Sequence, residues 1–203
     1  MLSFKYRIYP SRKQKAKLID TFKVCKQTYN ILLAISNDAY KFGNAKLGIL
    51  DYQLYVKDIP DVYSQVIQDV GRRLHKSYQN FFRRVKQNAK EKGFPRFKSR
   101  VNSITFPQSG FKFTNNKRLF ASKIGNIPIV LHRIPKGRIK TLTIKQNNVG
   151  QWFAIFSCEL PDIVVKHPST QKVGIDVGLE NFAVLSNGEL ISNPHHLLKS
   201  EGR

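Results

Sequence analysis

Acidic residues and cysteines are scarce in this chain. Its 203 residues include 13 Asp and Glu against 35 Lys and Arg, a formal net charge of +22. Self-repulsion on that scale is tolerable chiefly when a polyanion neutralises it, so the expected partner is nucleic acid. The two cysteines, Cys25 and Cys158, form no Cys-x-x-Cys pair. That pattern argues against a disulfide framework and a zinc site, and both are read as small buried apolar residues. No apolar run approaches the roughly 18 residues of a membrane span. Lys5 and Arg7 interrupt the opening segment, so no signal peptide is read, no membrane partner is expected, and the expected location is cytoplasmic. Internal repeats and low-complexity tracts are also lacking.

What is present is a hydrophobic fraction of 41%, with 14 Phe and 8 Tyr, enough to bury a core. The charge is stepped along the chain. Residues 1–100 carry 22 basic and 7 acidic side chains, residues 101–170 carry 10 and 2, and residues 171–203 carry 3 and 4. A polyanion footprint therefore belongs to the first 170 residues, and the tail belongs to something else.

Leu2 to Tyr9 alternates apolar Phe4, Tyr6 and Ile8 with Lys5 and Arg7, the period of a strand with one buried and one cationic face. After Pro10, Ser11 and Gln14 have the spacing of a capping box, and Leu18, Phe22, Cys25, Tyr29, Leu32, Leu33 and Tyr40 follow at helical spacing. A helix is predicted over about 11–42. A second is predicted over about 62–91, its apolar stripe running from Val66 to Val85 and its end set by Gly93-Phe94-Pro95. From Ser103 the residues become β-branched and aromatic, with turn signals at Pro107, Asn115-Asn116, Gly125-Asn126 and Asn147-Asn148. The last pair lies in a predicted hairpin between Ile139–Lys145 and Trp152–Leu160. The simplest arrangement joins the opening strand to these later ones, with the helices as an insertion. Pro161 to Gln171 reads as a linker, and Asn187-Gly188 marks a hairpin in the tail.

Two constellations could carry chemistry. Asp176 ends a short β-branched strand between Gly174 and Gly178. It fits an Asp that caps a turn, a first-strand Mg²⁺ ligand of a ribonuclease-H-like nuclease, or the phosphate turn of an actin-like ATPase. The ATPase turn requires small hydroxyl residues after the glycine, and Leu179-Glu180-Asn181 stand there instead, which favours the nuclease among the functional readings. The second constellation is basic and aromatic: Arg72, Arg73, Lys76, Arg83, Arg84 and Lys86, running on into Arg96, Phe97, Lys98 and Arg100. With Lys5 and Arg7 on the opening strand, these are the candidate contacts to phosphates and unpaired bases. Phe81 and Phe82 are read as core. A helix-turn-helix over 11–42 is disfavoured, because no tight turn divides the pattern. His195 and His196 are adjacent and are read as surface residues, not a metal pair.

Several separated motifs, in order, carry a family resemblance. Tyr6-Arg7-Ile8-Tyr9-Pro10, Thr28-Tyr29-Asn30, Phe81-Phe82, Gly93-Phe94-Pro95-Arg96-Phe97-Lys98 and Val173-Gly174-Ile175-Asp176-Val177-Gly178-Leu179, with Leu185-Ser186-Asn187-Gly188, resemble the TnpB (OrfB)-type insertion-sequence proteins. The resemblance implies an RNA-guided DNA endonuclease, related to the type V CRISPR effectors, whose partners are guide RNA and target DNA. It implies an α+β fold: a β-barrel wedge domain over 1–10 and 100–165, a helical recognition insert over 11–99, and the start of a RuvC nuclease domain over 172–203. It also makes Asp176 the first catalytic, Mg²⁺-binding carboxylate. The family's later Glu, later Asp and four-cysteine zinc module have no counterpart here, so Mg²⁺ is expected only in a complete RuvC domain, and a truncated copy or a fragment is expected. The alternative is a non-catalytic RNA- or DNA-binding remnant of a transposase gene.

Overall fold

A computed structural model describes residues 1–43, 46–56, 59, 61–114, 118–160, 172–196 and 200. The expected Asn115-Asn116 turn and the expected linker Pro161 to Gln171 lie outside them. The chain divides into two units, Met1–Pro161 and Asp162–Arg203.

In the first unit, strand β1 (Leu2–Ile8) buries Phe4, Tyr6 and Ile8 and turns Lys5 outward, as the alternation predicts. Helix α1 (Arg12–Gly43) starts on the expected capping box. The Ser11 N–H donates to Gln14 Oε1 (2.9 Å), and the Gln14 N–H donates to Ser11 Oγ (3.3 Å). Gln14 Nε2 also donates to the Asn126 carbonyl (2.9 Å), which ties the helix start to the sheet. A short helix α2 (Ile49–Tyr55) follows, which the sequence pattern does not reveal, and then α3 (Ser64–Lys86). The α3 helix stops short of the expected Glu91. Asn88 adopts φ +49°, and the amides of Gln87, Asn88 and Ala89 fold back onto the carbonyls of Arg83, Val85 and Arg84.

The strands β2 (Ser103–Pro107), β3 (Phe111–Thr114), β4 (Arg118–Ala121), β5 (Gly125–Val130), β6 (Arg138–Gln146) and β7 (Trp152–Glu159) join β1 in one antiparallel sheet of order β2-β6-β7-β1-β5-β4-β3. The opening strand thus pairs with strands that come after the helices. The β6–β7 hairpin is as expected. Gly125-Asn126 begins β5, and the preceding turn instead uses Lys123 at φ +67°. The two edge strands, β2 and β3, are consecutive in sequence and separated by Gln108-Ser109-Gly110. Because three residues span so little, the sheet must curl until its edges approach, which makes it nearly closed. Gly110 has φ +84°, and a Cβ there would lie 2.3 Å from the Tyr63 ring. Inside the curl, Phe156 of β7 meets Phe113 (4.9 Å between ring centroids) and Phe111 (6.3 Å) of β3, and Tyr6 of β1 (5.7 Å). Helix α1 covers one end by stacking Phe22 on Trp152.

Both cysteines are buried, as expected. In the second unit, β8 (Ile175–Asp176), β9 (Asn181–Leu185) and β10 (Leu190–Ser192) form a small antiparallel sheet, and the expected Asn187-Gly188 hairpin joins β9 to β10. Its Ile175, Val177, Leu179, Phe182 and Leu190 are all more than half exposed.

Since Phe156 joins three strands across the interior, Phe156→Ala is expected to destabilise the fold by about 3–5 kcal/mol. Val149→Ala, at an exposed loop residue, should change stability by less than about 0.5 kcal/mol. Urea unfolding of the two variants measures both, and equal effects would contradict the closed core.

Candidate nucleic-acid interface

The basic candidates divide into those facing solvent and those bonded within the protein. Lys5, Arg72, Lys76, Arg83, Lys86, Arg96 and Arg100 are exposed, as is the Phe97 ring. The other candidates have internal partners. Arg73 pairs with Asp69 (2.6 Å) one helical turn away and also bonds the Thr105 hydroxyl, fastening α3 to β2. Arg84 donates to the Lys92 (2.6 Å) and Gly93 (2.9 Å) carbonyls, so it closes the end of α3 onto the segment that follows. Lys98 is half-buried, its ammonium 3.8 Å from the Tyr29 ring centroid. Burial, aided by the Arg73 charge, holds its pKa below the ordinary lysine value.

Asn30 is a residue whose role the sequence pattern does not reveal. Its amide accepts from the Lys98 N–H (2.8 Å) and donates to the Lys98 carbonyl (3.0 Å). This two-way bond imitates a strand partner and holds the extended segment 94–100 on α1. Arg96, Phe97 and Arg100 are thereby presented outward from a fixed backbone. Two motifs of the resemblance, Thr28-Tyr29-Asn30 and the Gly93–Lys98 run, are thus joined by one side chain. Only the long-range contact gives Asn30 this role, so local spacing carries no signal for it.

On the outer face of the sheet, Lys5 Nζ lies 4.1 Å from the Phe153 ring centroid, and the Arg7 guanidinium lies over both Tyr9 (5.4 Å) and Phe153 (5.1 Å). Arg7 Nη1 is buried without a hydrogen-bond partner. Phe81 and Phe82 are part-buried in an aromatic cluster with Tyr78, Tyr40 and Phe94, so the core reading holds for them in part. Tyr78 donates to Asn37 Oδ1 (2.8 Å), and burial pushes its pKa up to about 12.

Asp176 is exposed, and its backbone pairs with Val184. Among the described residues no group of three or more His, Cys, Asp or Glu could hold a metal ion, so these residues do not fit a Mg²⁺ site by themselves. His195 and His196 are exposed, as expected. No helix among the described residues is long and apolar enough to cross a membrane.

Residues 1–45 match the model of a helix-turn-helix domain, HTH_OrfB_IS605. Within that match, residues 1–43 form β1 and the unbroken helix α1. Two curated relatives are both named "Putative RNA-guided DNA endonuclease". The one from Streptomyces pristinaespiralis is 29% identical over 99% of this chain and 52% of its own length. The other, InsQ of Escherichia coli K12, is 27% identical over 98% of this chain and 50% of its own length. The resemblance read from the sequence motifs therefore holds: the chain is similar to the OrfB-type insertion-sequence proteins, and it spans about half the length of the curated relatives it matches.

Proposed function

We propose that this chain is the nucleic-acid-binding part of a TnpB-type RNA-guided DNA endonuclease, with guide RNA and target DNA as its partners. The observation that carries the reading is the exposed row Arg72, Lys76, Arg83 and Lys86 along α3, continued by Arg96 and Arg100 on the segment clasped by Asn30. Cations in a row on a rigid helix and a pinned segment fit a phosphate backbone, and Phe97, 60% exposed beside them, can stack on an unpaired base. In this reading the curled sheet is the wedge domain, α1 to α3 form the recognition insert, and the second unit begins a RuvC domain. Asp176 would be the first carboxylate of that domain. A Mg²⁺ site needs several ligands, so cleavage would belong to the whole protein and binding to this part.

Binding of a structured RNA or single-stranded DNA should be strongly salt-dependent. If about 6–10 phosphates are neutralised, affinity falls about 10³–10⁵-fold between roughly 50 and 200 mM salt. Binding should persist in EDTA and in Asp176→Ala. A flat salt response, or a metal requirement for binding, would contradict the reading.

The α3 row should also matter more than its charge alone. Alanine at Arg72, Lys76, Arg83 and Lys86 together is expected to weaken RNA binding at least about tenfold more than alanine at Arg12, Lys13, Lys15 and Lys17, which removes the same charge from the start of α1. Equal losses in a titration of the two quadruple variants would show a diffuse field.

A further inference from the structure

Three stripes follow one another around α3 at 3.6 residues per turn. Val66, Val70 and Leu74 are buried in the core. Next come Tyr78, His75, Phe82 and Gln79, which with Tyr40 and Leu47 wall an open cavity of about 140 Å³. Beyond the cavity wall, toward solvent, lie Arg72, Lys76, Arg83 and Lys86. The cavity therefore opens beside a row of cations, about one helical turn from each.

Its size and walls limit what can enter. A cavity of about 140 Å³ is in the class, roughly 150 Å³, that holds a single benzene ring. Aromatic rings supply much of its wall: Phe82 lies 6.3 Å from Tyr78 at 23° between planes, and Tyr40 lies 6.1 Å from Phe82 at 55°. Lys46 Nζ stands 4.3 Å from the Phe82 ring centroid, which adds a cation at the cavity itself. The rim is polar, because Gln79 Nε2 and His75 Nε2 lie 2.9 Å apart and exposed. A purely apolar ligand would leave that rim and those cations unmatched, and a free anion would gain nothing from the rings. A flat ring with polar edges, attached to phosphates, satisfies all three features.

We propose that this cavity receives one unstacked pyrimidine base from a single-stranded stretch of nucleic acid, with the flanking phosphates lying along Arg72, Lys76 and Arg83. A purine's two fused rings exceed the about 140 Å³ within the walls, so part of the base would be left outside the mouth and gain less from the rings. The inference rests on the nucleic-acid-binding reading above and adds to it a base-accepting site.

The test uses the 203-residue chain with three fluorescent single strands of equal length at fixed salt: oligouridylate, oligoadenylate, and an abasic sugar-phosphate strand. Oligouridylate should bind on the order of tenfold tighter than the abasic strand, the scale of one stacked base. Leu47→Trp, which fills the cavity, should abolish that excess while leaving abasic affinity within about twofold, since the phosphate contacts remain. Phe82→Ala, which removes a wall, should do the same. Equal uridylate and abasic binding by the unaltered chain would overturn the inference, as would an excess that survives both substitutions or oligoadenylate binding as tightly as oligouridylate. Failure of all three strands to bind would instead overturn the nucleic-acid reading on which it rests.

Discussion

Strand β1 lies between β5 and β7, hydrogen bonded on one edge to each, and both partners come later in the chain than helices α1, α2 and α3. The sheet cannot form its middle until the segment after the helices has returned. Helices α1 and α3 are therefore anchored, the first at its start by β1 and the last at its end through the segment leading to β2. Curling then packs the edge strand β3 onto β7, with Phe111 and Phe113 against Phe156. Long-range pairing of this kind is entropically costly to assemble, but it leaves α1 and α3 on a rigid base once formed.

That base gives the positive charge a shape. A net charge of +22 spread evenly would attract any polyanion without orienting it. Here several cations are fixed to internal tasks: Arg73 fastens α3 to β2, Arg84 closes the end of α3, and Lys98 lies on Tyr29 within the Asn30 clasp. The cations that remain exposed are therefore held in register, on a helix and an extended segment whose backbones these same contacts fix. Cations that face solvent and cations that fasten the fold are chemically alike in this chain, and only their partners separate them.

The sequence made local features legible. The β1 alternation, the Ser11/Gln14 capping box, the β6–β7 hairpin and the Asn187-Gly188 turn all depend on neighbouring residues, and each lies where the pattern places it. Features decided by distant contacts were not legible. The α3 helix ends at Lys86 because Asn88 reverses the chain and Arg84 binds the returning carbonyls, whereas the nearest sequence stop signal is Gly93. The short helix α2 carries a single buried residue, Tyr52, too little to produce a periodic pattern. The candidate interface was legible as a composition, but the division of its arginines between solvent and interior needed the fold.

The claim that contact with nucleic acid is confined to an ordered face is tested most directly by lysine acetylation of the chain, free and bound to a structured RNA, read residue by residue by mass spectrometry. Bound RNA should shield Lys76 and Lys86 on α3 and leave Lys13 and Lys15 at the start of α1 as reactive as in the free protein. Uniform shielding of all four, or shielding of Lys13 and Lys15 alone, would contradict the account.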